Sequence, residues 1–254
     1  MRKVEFKNFR NEILRGFVHE PRKIKGAVIL LHGFPGNCKS LKTLARWLKF
    51  AGFLTLRFDF SGTRLSEGNF EDKLMSKEVK EIKSSVDFLS SNYKFKKLYL
   101  IGFSTGAIDL SLYAWKDKRI DRIVLSGGVA DLVKCINYDF NKNQIKEFKE
   151  KGFIVYSRPG SWYHNKRLKR GFYEEFFKLN VKNSLHKLKK PILILHGSKD
   201  TTVPIENAKE IYDAANEPKK LMIIKGADHK FSKLRHKLKS FREIVKFFNN
   251  DKIK

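Results

Sequence analysis

Long apolar runs are missing from this sequence. No stretch approaches the ~18–20 apolar residues that a membrane helix needs. The N-terminal segment MRKVEFKNFRNEIL is polar and alternating and has no apolar signal core, so no export is expected and a cytoplasmic location is. Cysteine is scarce. Cys38 and Cys135 make no disulfide framework and their spacing fits no metal site, so both read as free thiols in a reducing compartment. No internal repeat or low-complexity tract stands out. Acidic residues are also in short supply: 27 Asp and Glu face 54 Lys and Arg, a net charge of +27 and a pI near 10.0. What is present is apolar material. Hydrophobic residues make up 41% of the 254 and Phe alone occurs 22 times, which excludes a disordered chain. The length suits one large domain, or one domain carrying an insertion. The charge is a footprint of nucleic-acid or anionic-surface binding, and equally of a lysine-rich surface on an enzyme.

Short continuous apolar runs carry the fold. Ala27–Leu31, Phe53–Phe58, Leu98–Gly102, Ile123–Leu125, Ile192–Leu195 and Leu221–Ile224 are rich in Ile, Leu and Val. Runs of that length read as strands buried on both faces of a parallel sheet. Helical spacing fills the gaps at Leu41–Gly52, Lys77–Ser90, Ala107–Trp115, Asn207–Ala215 and Leu238–Phe248. Strand and helix alternate, so the fold class is α/β with a mostly parallel sheet and helices on both faces. The stretch 131–189 breaks the alternation. It holds helical material at Asn143–Lys151 and Gly171–Leu179 and a hairpin pattern, Phe153–Ser157 then Trp162–Leu168, across Arg158-Pro159-Gly160. It is rich in Phe, Tyr and Trp. It reads as a cap inserted into a core formed by 1–130 and 190–254.

Gly102-Phe103-Ser104-Thr105-Gly106 follows a strand and opens a helix, the context in which G-x-S-x-G forms a nucleophile elbow. A serine hydroxyl needs a base at neutral pH. In chain order the acid should come next and the histidine last. Asp200 lies in the loop after the Ile192–Leu195 run, and His229 follows the Leu221–Ile224 run. Both are positions where functional groups of open α/β sheets project. Asp200 is expected to hold the His229 tautomer and stabilise its imidazolium. His164 and His186 fall in or beside the insertion, His236 in a basic helical stretch, and His196 precedes the acid. Asp228 is too close in sequence to serve its neighbour's ring and reads as structural; Asp213 is mid-helix. The oxyanion hole needs two backbone N–H groups. Thr105 supplies one, and in His32-Gly33-Phe34-Pro35-Gly36 the other falls to Phe34, since Pro35 has none.

These residues resemble the α/β-hydrolase superfamily, and more narrowly the small capped cinnamoyl/feruloyl esterases and monoacylglycerol-lipase-like serine hydrolases. The matching pieces are HGFPG (32–36), RFDFSGTRLSEGNFED (57–72), GFSTG (102–106), HGSKDTTVP (196–204) and GADHKFS (226–232). Arg64 stands where the family usually has Gly, and Phe103 where the elbow usually has His. In the family the DFSGTRLSEG segment supports the site, so Asp59 receives no catalytic role. Gly171-Phe172-Tyr173 resembles a segment whose tyrosine binds a phenolic ring, which places that role on Tyr173.

The resemblance implies a serine carboxylic-ester hydrolase acting on small or aromatic acyl esters through an acyl-enzyme on Ser104, without metal or organic cofactor. A lipid-ester hydrolase, a thioesterase and an amidase or peptidase are alternatives on the same triad. A dehalogenase or epoxide hydrolase of this fold is expected to carry Asp at position 104. The expected partner is a small-molecule ester; no nucleic acid is required and homodimerisation is left open. The reading of another class is a basic nucleic-acid or anionic-surface binder, with Tyr163–Phe172 (YHNKRLKRGF) as its best segment. Segments 131–190 and 230–254 carry +9 and +7 of the net charge, so anionic-surface binding is expected to run through a basic cap.

Overall fold

The computed structural model describes residues 1–250. Two strands open the chain, β1 (Arg2–Lys7) and β2 (Ile13–His19), followed by β3 (Gly26–Leu31), α1 (Lys42–Phe50), β4 (Phe53–Phe58), α2 (Met75–Asn92), β5 (Leu98–Phe103), α3 (Thr105–Tyr113) and β6 (Arg122–Ser126). Then come α4 (Leu132–Asp139), α5 (Lys142–Lys151), β7 (Phe153–Val155), β8 (Arg167–Lys169), α6 (Arg170–Lys178) and α7 (Val181–Lys187). The chain returns through β9 (Ile192–Gly197), α8 (Glu206–Ala214), β10 (Lys219–Ile224) and α9 (Leu234–Asn249). Eight strands form one sheet in the order β1-β2-β4-β3-β5-β6-β9-β10. Only the β1–β2 and β2–β4 pairings are antiparallel; the rest are parallel. This is the α/β architecture that the apolar runs predict.

Alternation along each strand divides the core into two layers. Ala27, Ile29 and Leu31 of β3 face a layer shared with α2, α3 and α8, while Val28 and Leu30 face the layer under α1 and α9. The strands are buried on both faces, which is why they read as unbroken apolar runs. β1 and β2 were not in the predicted set. Val4 and Phe6 point inward between charged neighbours, and Leu14 and Val18 are buried beside half-exposed Arg15 and Phe17, the alternation of a hairpin with one face turned to the core. The segment between β6 and β9 leaves the sheet. It packs α4–α7 and the separate β7–β8 ribbon around an aromatic core in which Phe140 lies 5.1 Å from Phe148 and 5.8 Å from Phe176. The expected hairpin is present, but its strands are three residues long and enclose a long loop over 156–166.

An ionisable group is sealed beneath the nucleophile helix. Asp109 of α3 is fully buried, and neither carboxyl oxygen has a hydrogen-bond partner among the described residues. It faces Glu78 of α2; burial, then that second carboxylate, raises the Asp109 pKa well above the usual range. Lys73 answers Glu78 at 2.6 Å and also donates to the Ser61 carbonyl and Thr63 Oγ1. Two carboxylates against one ammonium leave Asp109 to hold its proton.

Candidate active site

Ser104 ends β5 and starts α3 with φ 55° and ψ −124°, a backbone conformation that costs a non-glycine residue roughly 1–3 kcal/mol. Its own N–H donates to the Ser126 carbonyl at 2.8 Å, which pins the elbow to the end of β6. The flanking glycines are required by contact. A Cβ on Gly102 would lie 2.3 Å from the Gly106 carbonyl, and one on Gly106 would lie 2.6 Å from the His32 carbonyl. Strand, helix and the 32–36 loop therefore meet at one point, with Ser104 at its tip.

The 32–36 loop is oriented by His32. The Phe60 N–H donates to His32 Nε2 at 3.2 Å, so Nε2 is the acceptor and Nδ1 carries the proton. Burial lowers the His32 pKa against the pull of Asp59, which keeps the ring neutral. Nδ1–H then donates to the Gly33 carbonyl at 3.0 Å, and the Gly36 N–H donates to the same oxygen at 2.8 Å. That carbonyl belongs to the peptide whose N–H is Phe34's. With the oxygen held on one side, the Phe34 N–H points to the other. Among the described residues, neither the Phe34 N–H nor the Thr105 N–H has a partner.

Asp200 and His229 are brought together by the ends of β9 and β10. His229 Nδ1 lies 2.7 Å from Asp200 Oδ2. The other carboxylate oxygen accepts the N–H groups of Thr202 at 2.9 Å and Val203 at 2.8 Å. Burial alone would raise the Asp200 pKa; the His229 contact and the backbone donors outweigh it and hold the group as a carboxylate. A carboxylate accepts, so Nδ1 is the donor, and in the neutral ring that leaves Nε2 as the acceptor. Gly127 follows β6, and a Cβ there would lie 2.9 Å from the His229 ring. Since Ser104 is tied to Ser126, the residue before it, serine and imidazole share the same end of β6. No hydrogen bond joins Ser104 to His229 among the described residues. His196 lies on another side of Asp200, its Nε2–H donating to the Val203 carbonyl at 2.8 Å and standing 3.3 Å from Asp200 Oδ2. Asp228 accepts the Ser232 N–H at 2.6 Å. Asp59 accepts the Cys38 N–H at 2.6 Å and the Leu65 N–H at 3.3 Å, tying two loops below His32.

The inserted segment closes over this edge. Phe34 sits 4.6 Å from Phe172 and 6.0 Å from Tyr156, and the Trp162 indole N–H donates to the Pro35 carbonyl at 3.0 Å. Tyr173 is buried in the segment's own core, stacked on Phe148 at 5.4 Å. Sequence reasoning had no role for Trp162 or for Asp139. Asp139 is the last residue of α4; it is solvent-exposed yet crowded enough that desolvation raises its carboxyl to about 6, with the His229 charge opposing. Its electrostatic link to His229 is a product of tertiary packing, and no motif marks it. Among the described residues, no group of three His, Cys, Asp or Glu is arranged to hold a metal, and no helix is long and apolar enough to cross a membrane.

Residues 22–155 match the family described as serine aminopeptidase, S33. The chain belongs to this hydrolase family. It is 28% identical over 221 residues to the mitochondrial palmitoyl-protein thioesterase ABHD10 of Bos taurus, covering 82% of this chain and 69% of that protein. For the Homo sapiens protein the values are 29% over 202 residues, 76% and 63%. The chain thus spans 63–69% of these relatives' length. Among solved structures, the Pyrococcus furiosus esterase Pf2001 superposes with a TM-score of 0.76 at 24% identity, covering 97% of this chain and 91% of that one. Est1E of Butyrivibrio proteoclasticus with ferulic acid gives 0.79 at 21% identity, with 96% and 97% covered. These two likenesses show the α/β-hydrolase fold. The chain is therefore a hydrolase of that fold, and its sequence motifs and architecture agree on the class.

Proposed function

We propose that this S33-family member is a serine carboxylic-ester hydrolase with Ser104 as nucleophile, His229 as base and Asp200 as the orienting acid. The observation that carries the reading is the 2.7 Å contact between Asp200 Oδ2 and His229 Nδ1, which leaves Nε2 basic at the strand end that also anchors Ser104. His229 Nε2 takes the Ser104 proton as Oγ attacks the ester carbonyl. The oxyanion is stabilised by the N–H groups of Phe34 and Thr105. His229 then protonates the leaving alcohol, and the acyl group remains on Ser104. Water, losing its proton to the same nitrogen, attacks the acyl carbon and releases the acid. No metal or organic cofactor takes part. The segment 131–189 serves as the cap over a core of 1–130 and 190–254.

The favoured substrates are small or aromatic acyl esters. Rings of Phe34, Tyr156 and Phe172 lie together on the cap side of Ser104, and the Asp139 carboxyl offers an acceptor to a hydroxyl on the acyl group. Tyr173 is retained as the phenol-side residue of the cap. One observation favours a second reading: the ABHD10 relatives are palmitoyl-protein thioesterases by name, so a thioester substrate uses the same triad. A panel of p-nitrophenyl acetate, methyl ferulate, a palmitoyl thioester and an aminoacyl anilide separates the readings by kcat/KM. Ser104→Ala is the control. Turnover of any of these substrates at near wild-type rate by Ser104→Ala would end the proposal.

A further inference from the structure

The positive charge has no part in the ester chemistry, and its distribution is uneven. In the cap, seven cations are ion-paired among the described residues. Lys134 and Lys182 share Asp131 and Glu210, and Lys169 bridges to Glu71 and Asp72. Lys146, Lys151 and Lys178 each meet a glutamate one turn away.

On the opposite layer the picture changes. α1 and the turn before it carry Lys39, Lys42, Arg46 and Lys49 and no acid. Spacings of three, four and three residues set them along one helical stripe. α9 carries Arg235, Lys239, Arg242 and Lys246 at spacings of four, three and four, again one stripe. All are exposed except the half-buried Lys49, and none has an ion-pair partner among the described residues. The acid of α9, Glu243, is taken by Lys220 at 2.8 Å. The two helices touch, with the Trp47 and Phe241 rings 5.5 Å apart, so the stripes form one face. Histidines beneath it register the field. Burial first, then Arg57, the N-terminus, Lys49 and Arg46 push His19 down to about 4. Burial, then Arg235 and Lys233, also lower His236. At the end of the α1 stripe, Phe50 is 77% exposed.

We propose that the α1–α9 face docks the protein onto an anionic lipid surface, with the two basic stripes on the headgroups and Phe50 in the interfacial layer. A bilayer asks only for charge density and an apolar side chain at headgroup depth. Single-stranded nucleic acid asks for a groove with several stacking rings, and Phe50 is the one exposed ring on these two helices among the described residues. The face is given this role because its cations line up in two adjacent stripes without ion-pair partners, whereas seven of the cap's cations are paired with acids among the described residues.

The test uses the full chain, sedimented with vesicles of phosphatidylcholine alone and of phosphatidylcholine with phosphatidylglycerol, at low and high salt. Binding is expected only with the anionic lipid, and falls as salt rises. The variant Lys42→Glu/Arg46→Glu/Arg242→Glu is expected to lose at least about 100-fold in partitioning, with an unchanged melting temperature. Lys239→Glu/Arg242→Glu repeats the test on α9 alone if the first variant does not fold. Reversing Lys146, Lys151 and Lys178 of the cap is expected to change binding by less than about threefold. Equal binding to neutral vesicles, or undiminished binding by both stripe variants, overturns the proposal. So does retention on single-stranded RNA without vesicle binding, which reassigns the face to nucleic acid.

Discussion

At the carboxyl edge of the sheet every oxygen of Asp200 is engaged, whereas along α1 and α9 eight cations stand without an ion-pair partner among the described residues. The two regions use polar groups in opposite ways. Around Asp200 and His32, burial fixes each proton, each tautomer and each peptide plane, so one atom decides the outcome. On the α1–α9 face the cations are solvated and interchangeable, and only their number and alignment matter. Perturbations should therefore be steep at the first region and shallow and cumulative at the second.

The sharpest break comes from Ser104→Ala, expected to lower kcat for p-nitrophenyl acetate by about 10⁴-fold or more, with melting temperature little changed because alanine carries the same Cβ at φ 55°. Asp200→Asn comes next. It removes the acceptor that keeps the proton on His229 Nδ1, and about 10³–10⁴-fold loss in kcat is expected with KM little moved. Trp162→Phe keeps the ring and deletes the donor to the Pro35 carbonyl. Its expected cost is roughly 5–20-fold in kcat, with a matching loss in affinity for a boronic-acid transition-state analogue and KM within about twofold. Equal loss in KM instead would assign Trp162 to substrate binding. Asp109→Asn concerns stability alone. The native pKa of Asp109 is raised above its unfolded value, so its contribution is present below the unfolded pKa and is lost as pH rises through the native one. The melting-temperature gain of the variant over wild type should grow from acidic toward alkaline pH. A gain that is flat with pH contradicts a buried proton. The smallest effect belongs to one neutralised cation: Lys239→Ala should weaken anionic-vesicle binding by about fivefold and leave kcat unchanged.

Much of this was legible beforehand, for identifiable reasons. Strands buried on both faces announce themselves as Ile, Leu and Val runs, and the elbow glycines stand where contacts of 2.3–2.6 Å leave no room for a Cβ. The β1–β2 hairpin was hidden because only alternate residues face inward, and RKVEFK reads as a polar stretch. The hairpin of the inserted segment is present, but its strands are shorter than the sequence pattern and its second strand starts later, at Arg167. Its loop over 156–166 is shaped by contacts with Pro35 and Phe70, which lie more than 80 positions away in sequence. Asp139 was invisible for the same reason. Charge arithmetic located the excess by segment, but pairing is a three-dimensional property. Seven cations of the inserted segment are ion-paired among the described residues, and the stripes of α1 and α9 are not.

Phe34 belongs to two systems at once. Its ring is packed among the cap's aromatics, and its N–H is the proposed oxyanion donor. Ring and amide sit on one rigid residue, and the peptide before it is held by His32 and Gly36. Pressure on the ring is therefore leverage on the amide. A substrate whose acyl group fills the aromatic wall would press on the residue that carries the proposed donor, so fit and rate are expected to be coupled. Exchanging the cap for another would retune the chemistry as well as the choice of substrate, and selection on one would drag the other with it.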